Sequence, residues 1–241
     1  MNKMKKYITI ALLSGAFLTS CGEYNKVLKS MDYVYQYEAA KSYFGDGKYT
    51  KAASLLEGLT NILKGTEDAE ESLYMLAMCY YNQGDYVTAS HYFTTYYNTY
   101  PRGVFTELAR YHSGKALFLD TPEPKLDQSS TYSAISELQM FMEYYPESKR
   151  KTEAQVMIFA LQDKLVMKDY LAAKLYYDLG SYNGNASMTA DGRINGNNYL
   201  ACITTAQNAL KDYPYTAMRE EISILLLRAK YKLGSESVLE K

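Results

Sequence analysis

The chain has 241 residues, with 26 Lys and Arg against 27 Asp and Glu, so the net charge of −1 excludes a strongly basic nucleic-acid footprint. Apolar residues make up 47% and charged ones 22%, a globular balance that excludes wholesale disorder. Two histidines leave little material for metal or acid–base chemistry, while 27 tyrosines and no tryptophan mark a reliance on one aromatic side chain.

Lys3, Lys5 and Lys6 open the chain, and Tyr7 to Leu18 is mostly apolar. This is the layout of a secretory signal peptide; about a dozen apolar residues fall short of the ~20 that span a bilayer. Leu18-Thr19-Ser20-Cys21 then resembles the lipobox of bacterial lipoproteins. The resemblance implies that residues 1–20 are removed and that Cys21 is acylated and becomes the N-terminus. An incidental Cys after a plain signal peptide is the alternative. Cleavage removes three lysines and no acid, which takes the net charge from −1 to −4. Each buried lipid CH₂ contributes roughly 0.8 kcal/mol, so several acyl chains hold a water-soluble body at a membrane. Residues 21–31 are expected to form an N-terminal tether. Cys79 and Cys202 lie 123 residues apart and fit no zinc spacing, so buried free thiols are expected ahead of a disulfide.

Beyond the tether the chain repeats itself. Sliding Tyr37–Leu59 forward by 37 places Tyr37, Ala40, Tyr43, Phe44, Gly47, Tyr49 and Ala52 on Tyr74, Ala77, Tyr80, Tyr81, Gly84, Tyr86 and Ala89. A further shift of 37 brings Tyr111, Lys115 and Phe118 under Tyr74, Met78 and Tyr81. The 12-residue interval from Ala89 to Pro101 recurs from Ala134 to Pro146 and from Cys202 to Pro214. Each unit reads as two helices. The first carries large and small apolar residues at helical spacing, as in Leu73, Leu76, Ala77 and Tyr80; a Gly-Asp-Tyr turn breaks it; the second stops at the residue before proline. Alanines suit the close crossing of two helices, and aromatics fill the wedge between hairpins.

These features resemble the tetratricopeptide repeat, a helix–turn–helix of about 34 residues. The resemblance implies an all-α chain, a tetratricopeptide-repeat superhelix of about five helix–turn–helix units. Repeats 1–3 are expected in residues 32–146, with an enlarged turn at Leu119–Ser130 in the third. Repeats 4–5 are expected in 147–241. A fourth turn is expected at Lys168-Asp169-Tyr170, and a last helix from Arg219 to Leu233. Gly184 to Asn198 has four Asn and three Gly in 15 residues and is expected to be an exposed loop insert, 184–198.

By the general geometry of such repeats, Tyr37, Tyr74 and Tyr111 form one ladder and Phe44, Tyr81 and Phe118 a second along an inner groove. A tyrosine there packs its ring and hydrogen-bonds its hydroxyl, which suits an extended client peptide. The plainer alternative is that some of these rings only fill contacts between repeats. His91 and His112 stand beside no nucleophile motif, and no phosphate loop, H-E-x-x-H or EF-hand pattern occurs. No catalytic residue, metal ligand or cofactor is expected. The acidic run Glu67, Asp68, Glu70 and Glu71 is explained by a helix N-terminus.

A lipobox followed within about fifteen residues by such repeats resembles the BamD family, lipoproteins of the outer-membrane β-barrel assembly machine. The stretches that carry the likeness are Cys21 to Lys29, in a Bacteroides-type form, Phe141-Met142-Glu143-Tyr144-Tyr145-Pro146-Glu147-Ser148, and Tyr199 to Leu233. The resemblance implies a non-enzymatic scaffold, lipid-anchored to the periplasmic face of the outer membrane. Its implied partners are the POTRA domains of BamA, other lipoproteins of the machine and unfolded outer-membrane proteins. It assigns Arg219 to Leu233 to BamA and the tyrosine groove to clients. Other periplasmic repeat lipoproteins, of the Tol–Pal coordinating or SusD type, are the alternatives.

Overall fold

A computed structural model describes residues 22–180 and 197–239. The signal peptide, Cys21 and all of the Gly/Asn insert except Asn197 and Asn198 lie outside the described residues. The chain is all-α. Its helices are α1 (22–28), α2 (Tyr33–Gly45), α3 (Tyr49–Ile62), α4 (Asp68–Gln83), α5 (Tyr86–Thr99), α6 (Thr106–Asp120), α7 (Ser129–Tyr144), α8 (Lys151–Leu179), α9 (Asn198–Asp212) and α10 (Arg219–Leu239). No strand occurs among the described residues. Two compact units divide the chain within α6, the first ending at Ala116 and the second beginning at Leu117.

In the first unit α2 packs on α3, α3 on α4 and α4 on α5. The alanines placed at crossings by the 37-residue shift are where a methyl is all that fits: Ala40, Ala52, Ala77 and Ala89 are each 0% exposed. The repeated turn has a backbone cause. Gly84 ends α4 at φ +81°, a left-handed conformation open to glycine, and Gly47 repeats it at φ +73°. Asp85 then caps α5 by accepting the Thr88 amide at 3.1 Å. The α5 helix ends at Thr99, just ahead of Tyr100-Pro101.

The segment expected as a tether is folded. Val27 of α1 is buried in the core shared with α2 and α3, and Tyr24 meets Tyr43 edge-on with ring centroids 5.8 Å apart. From α2, the Gln36 amide donates to the carbonyls of Val27 (3.2 Å), Leu28 (3.2 Å) and Ser30 (2.8 Å). These bonds close the α1–α2 bend, and Asp32 caps α2 at the Tyr35 amide (3.0 Å).

In the second unit α7 packs on α8, α8 on α9 and α9 on α10. The enlarged turn runs from 121 to 128. Buried Gln128 organises it, donating to the carbonyls of Glu123 and Leu126 and accepting from the Thr131 hydroxyl at 2.7 Å. Lys164 of α8 donates to the carbonyl and hydroxyl of Thr121. The turn expected at Lys168–Tyr170 is absent, because Lys168 stands where Gly47 and Gly84 stand in the earlier repeats and does not favour a left-handed backbone. The α8 helix therefore continues for 29 residues to Gly180, at φ +54°, and the fourth hairpin is α8 with α9. The last helix, α10, stands where the first helix of a fifth hairpin would. The small residues of this unit, Ala134, Ala154, Ala173, Cys202 and Ala229, are each 0% exposed. No described helix is long and apolar enough to cross a membrane.

Candidate partner-binding surfaces

Two of the six ladder rings are closed in by neighbouring helices. Tyr37 and Tyr111 are each 2% exposed. Tyr37 lies in the core of α2, α3 and α4 with Lys41 Nζ 4.7 Å from its ring centroid, and Lys115 Nζ lies 3.4 Å from the Tyr111 hydroxyl. Tyr74 is half-buried, stacked on Phe105 at 4.6 Å and edge-on to Tyr96 at 5.6 Å. Tyr81 is half-buried among Tyr86, Phe93 and His112, with centroids 5.6, 6.4 and 5.4 Å away. Phe44 is half-buried against Tyr49 at 5.6 Å. Phe118 is half-buried in the second unit, where its carbonyl accepts from Thr121. For Tyr37 and Tyr111 the inter-helix role replaces the expected groove exposure, since a ring closed in by neighbouring helices offers no face to a peptide. Phe44, Tyr74, Tyr81 and Phe118 keep part of their surface.

Asp68, Glu70 and Glu71 lie in the first turn of α4, and two of them also meet tyrosine hydroxyls. Glu71 accepts from Tyr37 at 3.0 Å, Glu70 accepts from Tyr96, and Glu57 of α3 accepts from Tyr80. Glu70 also takes the Val104 amide at 2.5 Å, and the Tyr96 hydroxyl accepts the Phe105 amide at 3.1 Å. One carboxylate thus ties α4, α5 and the 100–105 turn together. Gly103 is required there, since a Cβ would meet Glu70 Oε1 at 2.5 Å and the Tyr96 hydroxyl at 2.8 Å. Burial first, and then the adjoining carboxylate, hold the phenols of Tyr37, Tyr80 and Tyr96 well above the ordinary tyrosine range. The helix-dipole reading of the acidic run does not include these bonds, because the tyrosine partners of Glu70 and Glu71 lie 26 and 34 residues away.

His91 is exposed beside Tyr92, and His112 is sandwiched by Phe93, Tyr81 and Tyr111. Cys79 and Cys202 are free and buried, and burial pushes the Cys79 thiol up to about 12. No group of three His, Cys, Asp or Glu is placed to hold a metal among the described residues.

An open apolar surface of the second unit is on α10. One side of that helix buries Ile222, Leu225 and Ala229 against α9. The opposite side exposes Ile224 (42%), Leu227 (66%) and Tyr231 (76%), one helical stripe at positions i, i+3 and i+7, with Arg228 exposed beside it. A sequence signal for it exists: Ile222 to Leu227 is apolar around more of the helix than one buried face requires. Between α8 and α10 a cleft of about 260 Å³ is lined by Tyr170, Lys174, Tyr177, Glu221, Ile224 and Arg228, among others. Arg219, at the start of α10, is exposed and donates to the Pro214 carbonyl. Asp163 of α8 accepts the Thr216 hydroxyl (2.6 Å) and the Ala217 amide (3.1 Å), which fixes the approach to α10.

The family described as YfiO, outer membrane lipoprotein, matches residues 29–191. Similar solved structures include the nearly identical TPR-like repeats of a kinesin-light-chain-like protein from Podosopora anserina. That structure is 13% identical, with a TM-score of 0.41, over 83% of this chain and 94% of the other. A methionine-substituted form of the same repeats aligns at 13% identity with a TM-score of 0.42, over 84% and 94%.

Proposed function

The chain belongs to the YfiO family of outer membrane lipoproteins, and from that membership we propose that it is a non-enzymatic scaffold of the β-barrel assembly machine, acylated at Cys21 and held on the periplasmic face of the outer membrane. The α10 helix binds the POTRA domains of BamA, and the N-terminal repeats receive unfolded barrel proteins. The observation that carries this reading is the stripe of Ile224, Leu227 and Tyr231. In the first unit α4 packs over α3, whereas this stripe of α10 is exposed. An exposed apolar stripe along a helix suits a folded partner more than a small substrate. Arg219 lies on the same helix and is assigned to the same contact.

Client contact is assigned to the surface retained by Phe44, Tyr74 and Tyr81 in the first unit, with Tyr37 and Tyr111 holding the helices behind; Phe118 belongs to the second unit and is not part of this surface. An unfolded barrel strand exposes aromatic side chains and unpaired backbone groups, and a site fixed near the membrane raises its local concentration there.

The test is binding of the purified chain to isolated BamA POTRA domains. Leu227→Asp with Tyr231→Ala removes two central apolar contacts and should weaken binding by about 30-fold or more, the effect of a hot spot of at least 2 kcal/mol. Arg219→Glu should lower it further. Affinity unchanged in the double variant, with helical circular dichroism intact, would refute the assignment of α10. A photo-crosslinking phenylalanine analogue at Tyr81 tests the client surface without deleting its ring. Adducts with unfolded barrel protein are expected, and a clean absence of them removes this surface from the reading.

A further inference from the structure

The first described residue, Gly22, follows Cys21 directly, and it already lies in a helix docked on the body of the protein. Val27 is 3% exposed, Tyr24 meets Tyr43, and Gln36 holds three carbonyls of the α1–α2 bend. If Cys21 carries lipid, as the proposed function holds, no slack chain separates the anchor from the fold. The seven residues of α1 span about 10 Å. Residues 29–31 add at most about 10 Å, so Met31 lies within roughly 25 Å of the acylated cysteine along the chain.

Next to that anchor is a patch that the fold does not use. Leu28 (42%), Met31 (86%), Tyr33 (42%), Val34 (73%) and Tyr35 (46%) are exposed together, five large apolar side chains in eight residues. Lys26 and Lys29 are exposed beside them, as are Glu23 and Asp32. Contiguous apolar exposure of this kind marks an interaction surface. Tyrosine with aliphatic neighbours is the mixture that settles at the level of lipid headgroups, and lysines next to it meet lipid phosphates.

We propose that the α1–α2 bend, residues 28–35, is a second membrane contact: it inserts Met31 and Val34 into the bilayer interface and thereby fixes how the N-terminal unit stands on the membrane. Acyl chains alone would leave the body free to turn about one point. A rigid bend with an apolar tip supplies a second point.

The absence of tryptophan makes the test direct. Met31→Trp in the full acylated chain places a single indole at the tip, and Val104→Trp, at a site 84% exposed in the same unit, serves as the control. Each variant is reconstituted on phosphatidylethanolamine–phosphatidylglycerol vesicles, with and without brominated acyl chains. Flotation and the mass of the Cys21 peptide are recorded in parallel. The expected result is a blue-shifted Met31→Trp emission that brominated lipid quenches, with Val104→Trp unaffected. A protein that floats and carries lipid while Met31→Trp emits as in water overturns the second contact and leaves the lipoprotein reading standing. A blue shift without lipid quenching means that another protein surface, such as a second copy, covers the patch, and also overturns it. A Cys21 peptide without lipid removes the anchor and the proposal together.

Discussion

Removing one hydroxyl should show that the acidic start of α4 is a structural clamp. Tyr96 is fully buried; its hydroxyl donates to Glu70 and accepts the Phe105 amide. Tyr96→Phe keeps the ring and its contacts with Tyr74 and Tyr100, so only the two hydrogen bonds are lost. A hydrogen bond to a charged group contributes about 1.5–3 kcal/mol. For a chain of this length each kcal/mol moves Tm by about 2–4 °C, so a fall of about 3–12 °C is expected. The assay is thermal and urea unfolding followed by helical circular dichroism, run as a double-mutant cycle with Glu70→Gln. Groups sharing one network should couple by about 0.5 kcal/mol or more, and effects additive to within about 0.3 kcal/mol would refute the clamp. The same contact sets a pH dependence. The Tyr96 phenol lies well above its ordinary value in the fold, so its stabilisation is fully present below about pH 10 and is lost as pH rises towards the folded value. Alkaline unfolding of Tyr96→Phe should therefore show a shallower slope above about pH 10 than that of the parent chain.

Three further outcomes follow from particular contacts. Ala77→Leu, at a helix crossing with 0% exposure, should destabilise by about 1–3 kcal/mol in urea unfolding, whereas Ala→Leu at an open site would cost little. With the Cys79 thiol pushed up to about 12 and both thiols buried, Ellman's reagent at about pH 8 should react with neither Cys79 nor Cys202 until the chain is unfolded; prompt reaction of either would contradict its burial. Burial, and then the Asp212 charge, raise the Asp169 carboxyl above its ordinary value, so its ionised form weakens the fold at neutral pH. That cost disappears as pH falls below the unfolded value near about 4, so Asp169→Asn should raise Tm at about pH 7 and bring no gain at about pH 3.

The repeat architecture was legible in the chain because its determinants are local. A left-handed glycine at Gly47 and Gly84, a methyl at each crossing and a proline after α5, α7 and α9 act over a few residues, and they recur at regular intervals. The positions of α3 to α7 follow from them. The fourth turn was misplaced for the same reason, since tyrosine and alanine recur there but the glycine that would allow the turn does not. The tertiary structure alone decided which tyrosines face inwards and what their hydroxyls meet. Tyr37, Tyr74 and Tyr111 share one register, yet two are buried and one keeps part of its surface, because neighbouring helices and not periodicity determine exposure. Glu57, Glu70 and Glu71 found their partners across 23 to 34 residues. The docking of α1 by Gln36 and the bare side of α10 depend likewise on which helix lies next to which. Backbone propensity is written residue by residue, whereas burial belongs to the packed whole.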